Sequence, residues 1–129
     1  MLTADDRALL DRLGLSWSAV PEGGWLTLVI CGWPLPPGYD TATADLMLRV
    51  PPGYPDMPLD MWYLSPAVAQ ANGAVIEQTQ VRETFGGREW QRWSRHLNPG
   101  DWKPGVDDLR SYLARLRGEL LRAAGQAAA

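Results

Sequence analysis

The sequence predicts an α+β domain, with helices on one face of an antiparallel sheet. Apolar residues recur at helical spacing near both ends of the chain, and apolar runs of strand length lie between them. Residues 65–101 show weak periodicity, and so long an irregular stretch in a compact domain is usually functional. The expected order is therefore an N-terminal helix, an antiparallel four-stranded meander, a long irregular segment and a C-terminal amphipathic helix.

The first helix is expected over residues 3–13. Thr3 and Asp6 have the spacing of a capping pair, in which each side chain bonds the other residue's backbone N–H. Gly14 follows, and glycine readily adopts the left-handed conformation that ends many helices. The apolar stripe of this helix consists of Leu9, Leu10 and Leu13.

Four strands are expected after the first helix. A short edge strand over 15–20 precedes a nearly continuous apolar run over 25–31, which indicates a buried strand. The proline-rich residues 32–40 predict an irregular connection. Apolar and polar residues then alternate over 44–50, which is typical of a half-buried strand, and the last strand is expected over 60–64.

A second amphipathic helix is expected from about Val106. Asp107 and Asp108 would lie in its first turn, where the helix dipole favours carboxylates. Residues 123–129 are expected to fray. The apolar face of this helix consists of Leu109, Tyr112, Leu113, Leu116 and Leu120.

Composition indicates a single soluble globular domain. The chain has 129 residues, of which 46% are hydrophobic and 21% charged, which is enough for a real core. We expect the domain to span residues 1–125, with a frayed tail over 126–129. The net charge of −3, without a basic patch, argues against nucleic acid as a partner. No apolar run reaches the roughly 20 residues of a membrane helix, so no membrane partner is expected.

The chain has one cysteine and one histidine. Cys31 ends a predicted buried strand, and unpaired cysteine is among the most buried residue types, so we expect it in the core. A single cysteine makes no internal disulfide and no signal peptide is seen, so a reducing cytoplasm is expected. So few cysteine and histidine ligands make a zinc site unexpected.

The spacing around Ser94 is the most specific signal in the sequence. Ser94 lies eight residues before Trp102, and Pro104 follows that tryptophan by two. Upstream, residues 54–58 read tyrosine, proline, aspartate, methionine and proline after an alternating strand. This order resembles the ubiquitin-conjugating enzyme (UBC) fold. Residues 90–109 more closely resemble the prokaryotic ubiquitin-conjugating-enzyme family E.

The resemblance implies an acyl carrier from a bacterial ubiquitination-like operon, of the kind linked to antiphage defence. Its partners would be a ubiquitin-like modifier protein, an activating enzyme that consumes ATP and docks on the first helix, and a deubiquitinase-like metalloprotease from the same operon. Such a carrier accepts the modifier's carboxyl terminus as an ester on its nucleophile and passes it to an amine. No metal or small cofactor of its own is implied.

Two departures from the eukaryotic pattern alter the expected chemistry. Ser94 stands at the position of the thioester cysteine. Residues 84–86 replace the histidine-proline-asparagine motif, whose asparagine helps to stabilise the oxyanion. A serine hydroxyl is a weak nucleophile near neutral pH and needs a positioned base. The resemblance therefore implies an oxyester on Ser94, which would be longer-lived than a thioester.

His96 is the base that we predict, because imidazole exchanges protons near neutral pH and this one lies two residues after the serine. An equal alternative is a structural hydrogen bond from His96 to a carbonyl or to Asp101. The candidates to replace the missing oxyanion donor are Arg95, His96, Arg92 and backbone N–H groups near residues 86–87. A solvated loop arginine is the alternative for Arg92.

Aromatic and proline residues near these motifs are the candidates for binding. The proline-stiffened loop of Trp33 and the turn at Pro104 correspond in the family to a partner-docking surface. Trp102 is expected to pack the loop onto the second helix. The predicted binding residues are Trp33, Tyr54, Trp93, Trp102 and Pro104. Ordinary cover for the core is the alternative for each.

Two other functions stay open from the sequence. A catalytically inactive variant of the fold would bind the modifier or the activating enzyme without chemistry, and the missing asparagine motif favours it. The run over residues 93–96 disfavours it, since a scaffold has no evident use for a basic, histidine-bearing run there. An unrelated α+β binding domain with a chance match is the third interpretation.

Overall fold

A computed structural model describes residues 1–125, which form two helices and one six-stranded antiparallel sheet. The strands lie in the order β1-β2-β3-β4-β6-β5. In chain order the elements are α1 (Ala4–Arg12), β1 (Trp17–Glu22), β2 (Trp25–Pro34), β3 (Thr43–Val50), β4 (Trp62–Ser65), β5 (Arg82–Phe85), β6 (Arg88–Trp93) and α2 (Leu109–Gly125). The α+β class, the two helices and the antiparallel sheet are confirmed.

The predicted count of four strands is wrong, because β5 and β6 lie inside the stretch expected to be irregular. They form a hairpin in which Phe85 pairs with Arg88. Gly86 and Gly87 close it with φ angles of 59° and 74°, the positive values that a tight hairpin turn requires. Charged residues fill these strands and β5 buries no side chain fully, so the sequence carries no apolar alternation there.

The start of α1 confirms the predicted capping pair. Thr3 Oγ1 accepts the N–H of Asp6 at 3.0 Å, and Asp6 Oδ2 accepts the N–H of Thr3 at 3.0 Å. The hydroxyl of Tyr54 donates to the same Asp6 oxygen at 2.8 Å and accepts the N–H of Leu109 at 2.8 Å. One buried phenol therefore joins the first turns of both helices.

Strand β2 continues into the proline-rich stretch that was expected to be irregular. A β-bulge between Ile30 and Trp33 interrupts its pairing with β3, and Gly32 has a φ of 69° within it. Ile30 faces the core, so the alternation of a strand turns the next side chain outward. Cys31 is exposed, and the prediction of a core cysteine is wrong.

Helix α2 begins at Leu109, three residues later than the sequence predicts. Asp108 Oδ1 accepts the N–H of Ser111 at 3.1 Å, and Ser111 Oγ accepts the N–H of Asp108 at 3.0 Å. Asp108 is therefore a cap outside the helix and not part of its first turn. Residues 123–125 are helical, so their predicted fraying is wrong. The predicted frayed tail, 126–129, lies outside the described residues.

The main core lies between one face of the sheet and the two helices. Leu46 and Leu48 of β3 point into it, together with the predicted apolar face of α2. Met47 lies between these leucines and therefore faces the opposite side, where it packs with Tyr63 and Trp90. Within residues 1–125, no helix covers this outer face, and neither helix is long and apolar enough to cross a membrane.

Candidate active site

Ser94 is the first residue after β6. Its backbone N–H donates to the carbonyl of Gln78 at 3.0 Å, and its Oγ accepts from Arg92 Nε at 3.3 Å. Arg92 also lies 3.4 Å from the carboxylate of Glu83 on β5. The alternative of a solvated loop arginine is therefore wrong, because Arg92 is a strand residue with its guanidinium held between Ser94 and Glu83.

Ser94 opens onto a surface cavity of about 250 Å³, the Ser94 cavity, which lies between the end of β6 and α2. Its lining consists of Trp62, Ser94, Arg95, His96, Leu97, Tyr112, Arg115 and Glu119. Burial raises the pKa of Tyr112, so its hydroxyl stays protonated and donates to the carbonyl of Met61 at 2.9 Å. The cavity therefore places a serine, a histidine and several N–H donors on one surface.

His96 pairs with Asp60, a partner that no sequence pattern indicates. The Nδ1 atom of His96 lies 3.1 Å from Asp60 Oδ2, and both side chains are substantially exposed. An ionised carboxylate only accepts hydrogen bonds, so in a neutral imidazole this contact places the proton on Nδ1 and makes Nε2 an acceptor. Asp101, the expected carboxylate, instead lies 3.8 Å from Arg115 and accepts the N–H of Asn98.

The predicted direct contact between Ser94 and His96 is not formed. Among the hydrogen bonds of residues 1–125, the Ser94 hydroxyl has Arg92 as its partner and His96 has Asp60. Both residues nevertheless line the same cavity. Their assignment as nucleophile and base stays a prediction.

Arg95 is anchored and is not a free loop cation. Its guanidinium lies 5.0 Å from the centroid of the Trp93 ring, Nε donates to Glu119 at 3.3 Å and Nη1 donates to the carbonyl of Glu77 at 3.0 Å. Burial opposes ionisation of Glu119, but hydrogen bonds and charge from Arg122 and Arg95 outweigh it and lower the pKa of that carboxyl. Arg95 therefore ties the residue after Ser94 to α2.

Three of the predicted binding residues are buried. Trp93 is 0% exposed and stacks on Trp62 with ring centroids 5.7 Å apart. Trp33 is 1% exposed and lies in β2, so its expected place in an exposed docking loop is wrong. Tyr54 is 5% exposed and joins the two helix starts. These residues support the site from the core side and do not present a surface to a partner.

Trp102 and Pro104 lie in the loop that joins Ser94 to α2 along the chain, with Trp102 half-buried and Pro104 exposed. The Trp102 indole donates to the carbonyl of Pro55 at 2.9 Å, and its ring lies 6.4 Å from that of Tyr54. Pro104 is exposed, in a turn where the N–H of Val106 donates to the carbonyl of Lys103. Trp102 thus holds the loop against residues 54–58, and Pro104 stays accessible.

The expected oxyanion donors near residues 86–87 are in the wrong place. That turn is at the opposite end of β6 from Ser94, roughly 20 Å away at the usual rise of a strand. Two other N–H groups fit better. Trp62 Nε1 and Arg95 Nη2 are buried without a hydrogen-bond partner within residues 1–125, and both side chains line the Ser94 cavity.

The protein is a small α+β domain whose sheet edge carries a serine, a histidine–carboxylate pair and buried N–H groups without a partner within residues 1–125. The family model for prokaryotic E2 family E matches residues 2–123, and the chain belongs to that family. Searches of curated proteins and of solved structures each gave no significant match. Membership suggests a ubiquitin-conjugating-like role and, in general, interaction with a modifier and an activating enzyme.

Sequence reasoning missed Asp60 and Trp62 at this site. Neither residue belongs to a recognisable sequence motif, and both lie more than 30 residues before Ser94. No metal-binding group of three or more histidine, cysteine or acidic side chains occurs in the part of the chain that the structure describes.

Proposed function

We propose that this protein is a ubiquitin-conjugating-type acyl carrier with a UBC-like fold that uses Ser94 as its nucleophile. It receives the carboxyl terminus of a ubiquitin-like modifier from an activating enzyme as an oxyester, then transfers it to an amine of a target in the cytoplasm. A metalloprotease of the same operon would reverse the modification. The observation that carries the proposal is the Asp60-bound His96 on the cavity that holds Ser94.

In the loading step, Ser94 Oγ attacks the carbonyl carbon of a thioester between the modifier and a thiol of the activating enzyme. His96 Nε2 takes the hydroxyl proton as the new C–O bond forms. The C–S bond then breaks, and the departing thiolate receives that proton from His96. Asp60 holds the ring in the required tautomer and stabilises the transient imidazolium, as in other serine, histidine and carboxylate arrangements.

In the transfer step, an amine attacks the ester carbonyl, the bond to Ser94 Oγ breaks, and the serine regains a proton through His96. Each step passes through a tetrahedral oxyanion. Trp62 Nε1 and Arg95 Nη2 are the unpaired donors available to it after a small movement of the cavity wall. These N–H donors would take the role of the asparagine that is missing from residues 84–86.

Binding of the modifier has to bring Ser94 Oγ from Arg92 to His96. Catalytic hydrogen bonds are often long or misaligned before substrate binds, and tighten in the complex. The exposed His96 ring has the freedom to make this approach, since 62% of its side chain is accessible. In the free protein, the positive charge of Arg92 lies 3.3 Å from Ser94 Oγ and favours alkoxide character on that oxygen.

An inactive binding protein is the second candidate. The specific observation in its favour is that Ser94 Oγ accepts a hydrogen bond from Arg92 Nε and, within residues 1–125, is not hydrogen-bonded to a base. In this case the chain would hold the modifier or the activating enzyme without forming an ester. Loading experiments separate the two functions.

The test combines this chain, ATP, and an activating enzyme and modifier from a bacterial ubiquitination-like operon. Products are resolved on a denaturing gel with thiol reductant, with hydroxylamine, or with neither. An adduct that survives reductant, yields to hydroxylamine and disappears in Ser94→Ala is expected. An adduct that reductant removes would assign the chemistry to Cys31, and Cys31→Ser is the control for that outcome.

Absence of any adduct, together with retained binding of the activating enzyme or the modifier, would favour the inactive protein. Binding is measured on the same samples by calorimetry. Ser94→Ala is expected to fold like the wild type because Ser94 is half-buried and its hydroxyl accepts one bond.

A further inference from the structure

The outer face of the sheet carries a cavity of about 480 Å³ that is separate from the Ser94 cavity. We call it the outer cavity. Tyr63 and Phe85 form part of its lining, with ring centroids 5.5 Å apart. The exposed members of the lining are Trp25, Met57, Pro58 and Asp60. Its size is within the range of small-molecule sites, and mostly apolar walls with a few polar groups are typical of them.

Arg49 is the charged group that sets the chemistry of this cavity. Its guanidinium carbon lies 4.6 Å from the centroid of Phe85 and 5.6 Å from that of Trp25, so two aromatic rings hold it in place. Arg49 Nε is buried and has no hydrogen-bond partner within residues 1–125. A buried polar group normally has a partner. Because Arg49 also lines the cavity, its guanidinium offers further N–H donors to a ligand there.

Two carboxylates line the same cavity but are paired elsewhere. Glu83 lies 3.4 Å from Arg92, and Asp60 lies 3.1 Å from His96. In the part of the chain that the structure describes, neither comes within ion-pair distance of Arg49. Among the three charged residues of the lining, Arg49 is the one that makes no ion pair within residues 1–125.

We propose that the outer cavity binds a small organic carboxylate, with its charged group on Arg49 and its apolar part between Trp25, Phe85 and Tyr63. A planar guanidinium matches a carboxylate with two parallel N–H bonds. Because stacking already orients Arg49, the ligand need not order it. Occupation of this site requires neither modifier nor activating enzyme, although Asp60 of its lining is also the partner of His96.

The test titrates 3-phenylpropionate into the full-length ¹⁵N-labelled chain and follows amide chemical shifts. The uncharged 3-phenylpropionamide is the matched probe. We expect saturable shifts that centre on residues of the outer cavity, and binding of the amide at least about tenfold weaker, which is the value of one charged hydrogen bond.

Substitutions at two positions test whether the positive charge of Arg49 binds the carboxylate. Arg49→Gln is expected to bind the carboxylate no better than the amide. Met57→Glu places a competing carboxylate on the exposed part of the lining, where 51% of the methionine is accessible, and is expected to weaken binding of the carboxylate. Met57→Gln is its uncharged control and should bind like the wild type. The Met57 variants keep the test decisive if Arg49→Gln fails to fold.

No saturable shift with the carboxylate, or equal affinity for the amide, would overturn the proposal. So would unchanged binding in folded Arg49→Gln or in Met57→Glu. Arg49 would then be a stacked surface arginine that only stabilises the sheet. Since the measurement involves no ester, its failure leaves the role of Ser94 untouched, and a failed loading experiment leaves the outer cavity untouched.

Discussion

His96 Nδ1 lies 3.1 Å from Asp60 Oδ2, although 36 residues separate the two in the chain. The sheet explains this contact. Strands β4 and β6 pair antiparallel with Trp62 opposite Trp93, and Asp60 lies two residues before Trp62 while His96 lies three after Trp93. The two side chains therefore leave the same end of neighbouring strands. Strand register, and not local sequence, brings the carboxylate to the histidine.

Replacing Asp60 with asparagine is expected to slow the loading of Ser94, because an amide does not stabilise an imidazolium as a carboxylate does. His96→Gln should slow it further, by about 10²–10⁴-fold, the usual contribution of a general base. The measurement is the initial rate of ester formation at saturating modifier. Asp101→Asn is the matched control, since that carboxylate is paired with Arg115.

The two aspartate variants give the decisive comparison. Equal slowing in Asp60→Asn and Asp101→Asn would mean that any lost surface charge has the same effect, and Asp60 would have no special part in the reaction. Normal loading in His96→Gln would transfer the role of base to a group outside this pair.

Ser94→Cys is expected to load faster than the wild type and to form an adduct that reductant removes. A thiol forms its nucleophilic anion near neutral pH far more readily than a hydroxyl, and a thioester is more reactive than an oxyester. Cys31 is exposed and is therefore replaced by serine in both proteins. A Ser94→Cys variant that forms no adduct would indicate that the surroundings, not the serine, prevent the chemistry.

Tyr54→Phe is expected to destabilise the fold by about 1–3 kcal/mol for each polar group that it leaves unsatisfied. The hydroxyl donates to Asp6, which is 2% exposed, and accepts the N–H of Leu109. Burial, with the hydrogen bond to Asp6 adding to it, raises the pKa of Tyr54 and keeps this donor protonated. Urea unfolding gives the free energy. Thr41→Val, which loses one exposed hydrogen bond, is the control and should cost under about 0.5 kcal/mol.

Local rules were enough to predict the two helices, although not the first residue of α2. The capping pair of Thr3 and Asp6 depends on residues three positions apart, and the apolar face of α2 on a repeat of three to four. The same kind of short-range spacing located Ser94 ahead of Trp102. Such patterns are visible in sequence because the interacting groups are close along the chain.

Features set by strand pairing were not predictable in this way. The β5–β6 hairpin is charged, so no apolar alternation marked it, and Asp60 reaches His96 only through the register of β4 and β6. Exposure of Cys31 depends on which face of β2 turns to the core, and the nearly continuous apolar run over residues 25–31 does not reveal that face. Burial of Trp93 also required the folded sheet, because the sequence does not tell which tryptophans face the core.

Glu119 is expected to make stability depend on acid pH. Its pKa is lowered in the folded protein, although burial alone would raise it, because Arg122 and Arg95 bond and attract the carboxylate. The stabilisation is therefore fully present above the ordinary value of 4.5 and is lost as pH falls through the lower folded value. Urea midpoints of wild type and Glu119→Gln should differ at pH 7 and converge toward pH 3. A constant difference would assign the effect to packing and not to charge.

Gly38→Ala is expected to weaken the attachment of the last turn of α2. Gly38 has a φ of 118°, and a Cβ there would lie 3.1 Å from both the Cβ and the carbonyl oxygen of Ala124. Gly73 is the matched control, with a φ of 85° and nothing within 4 Å of its added Cβ. Both changes impose backbone strain of about 1–3 kcal/mol, and Gly38→Ala adds overpacking of similar size.

The free energy of unfolding in urea measures both variants, and hydrogen exchange locates the effect. Faster exchange confined to residues 120–125 is expected in Gly38→Ala alone. The added Cβ would push Ala124, and with it the end of α2, away from the loop between β2 and β3. Equal losses in the two variants would mean that backbone strain accounts for the whole effect. The contact between the added Cβ and Ala124 would then have no measurable effect on the attachment of α2.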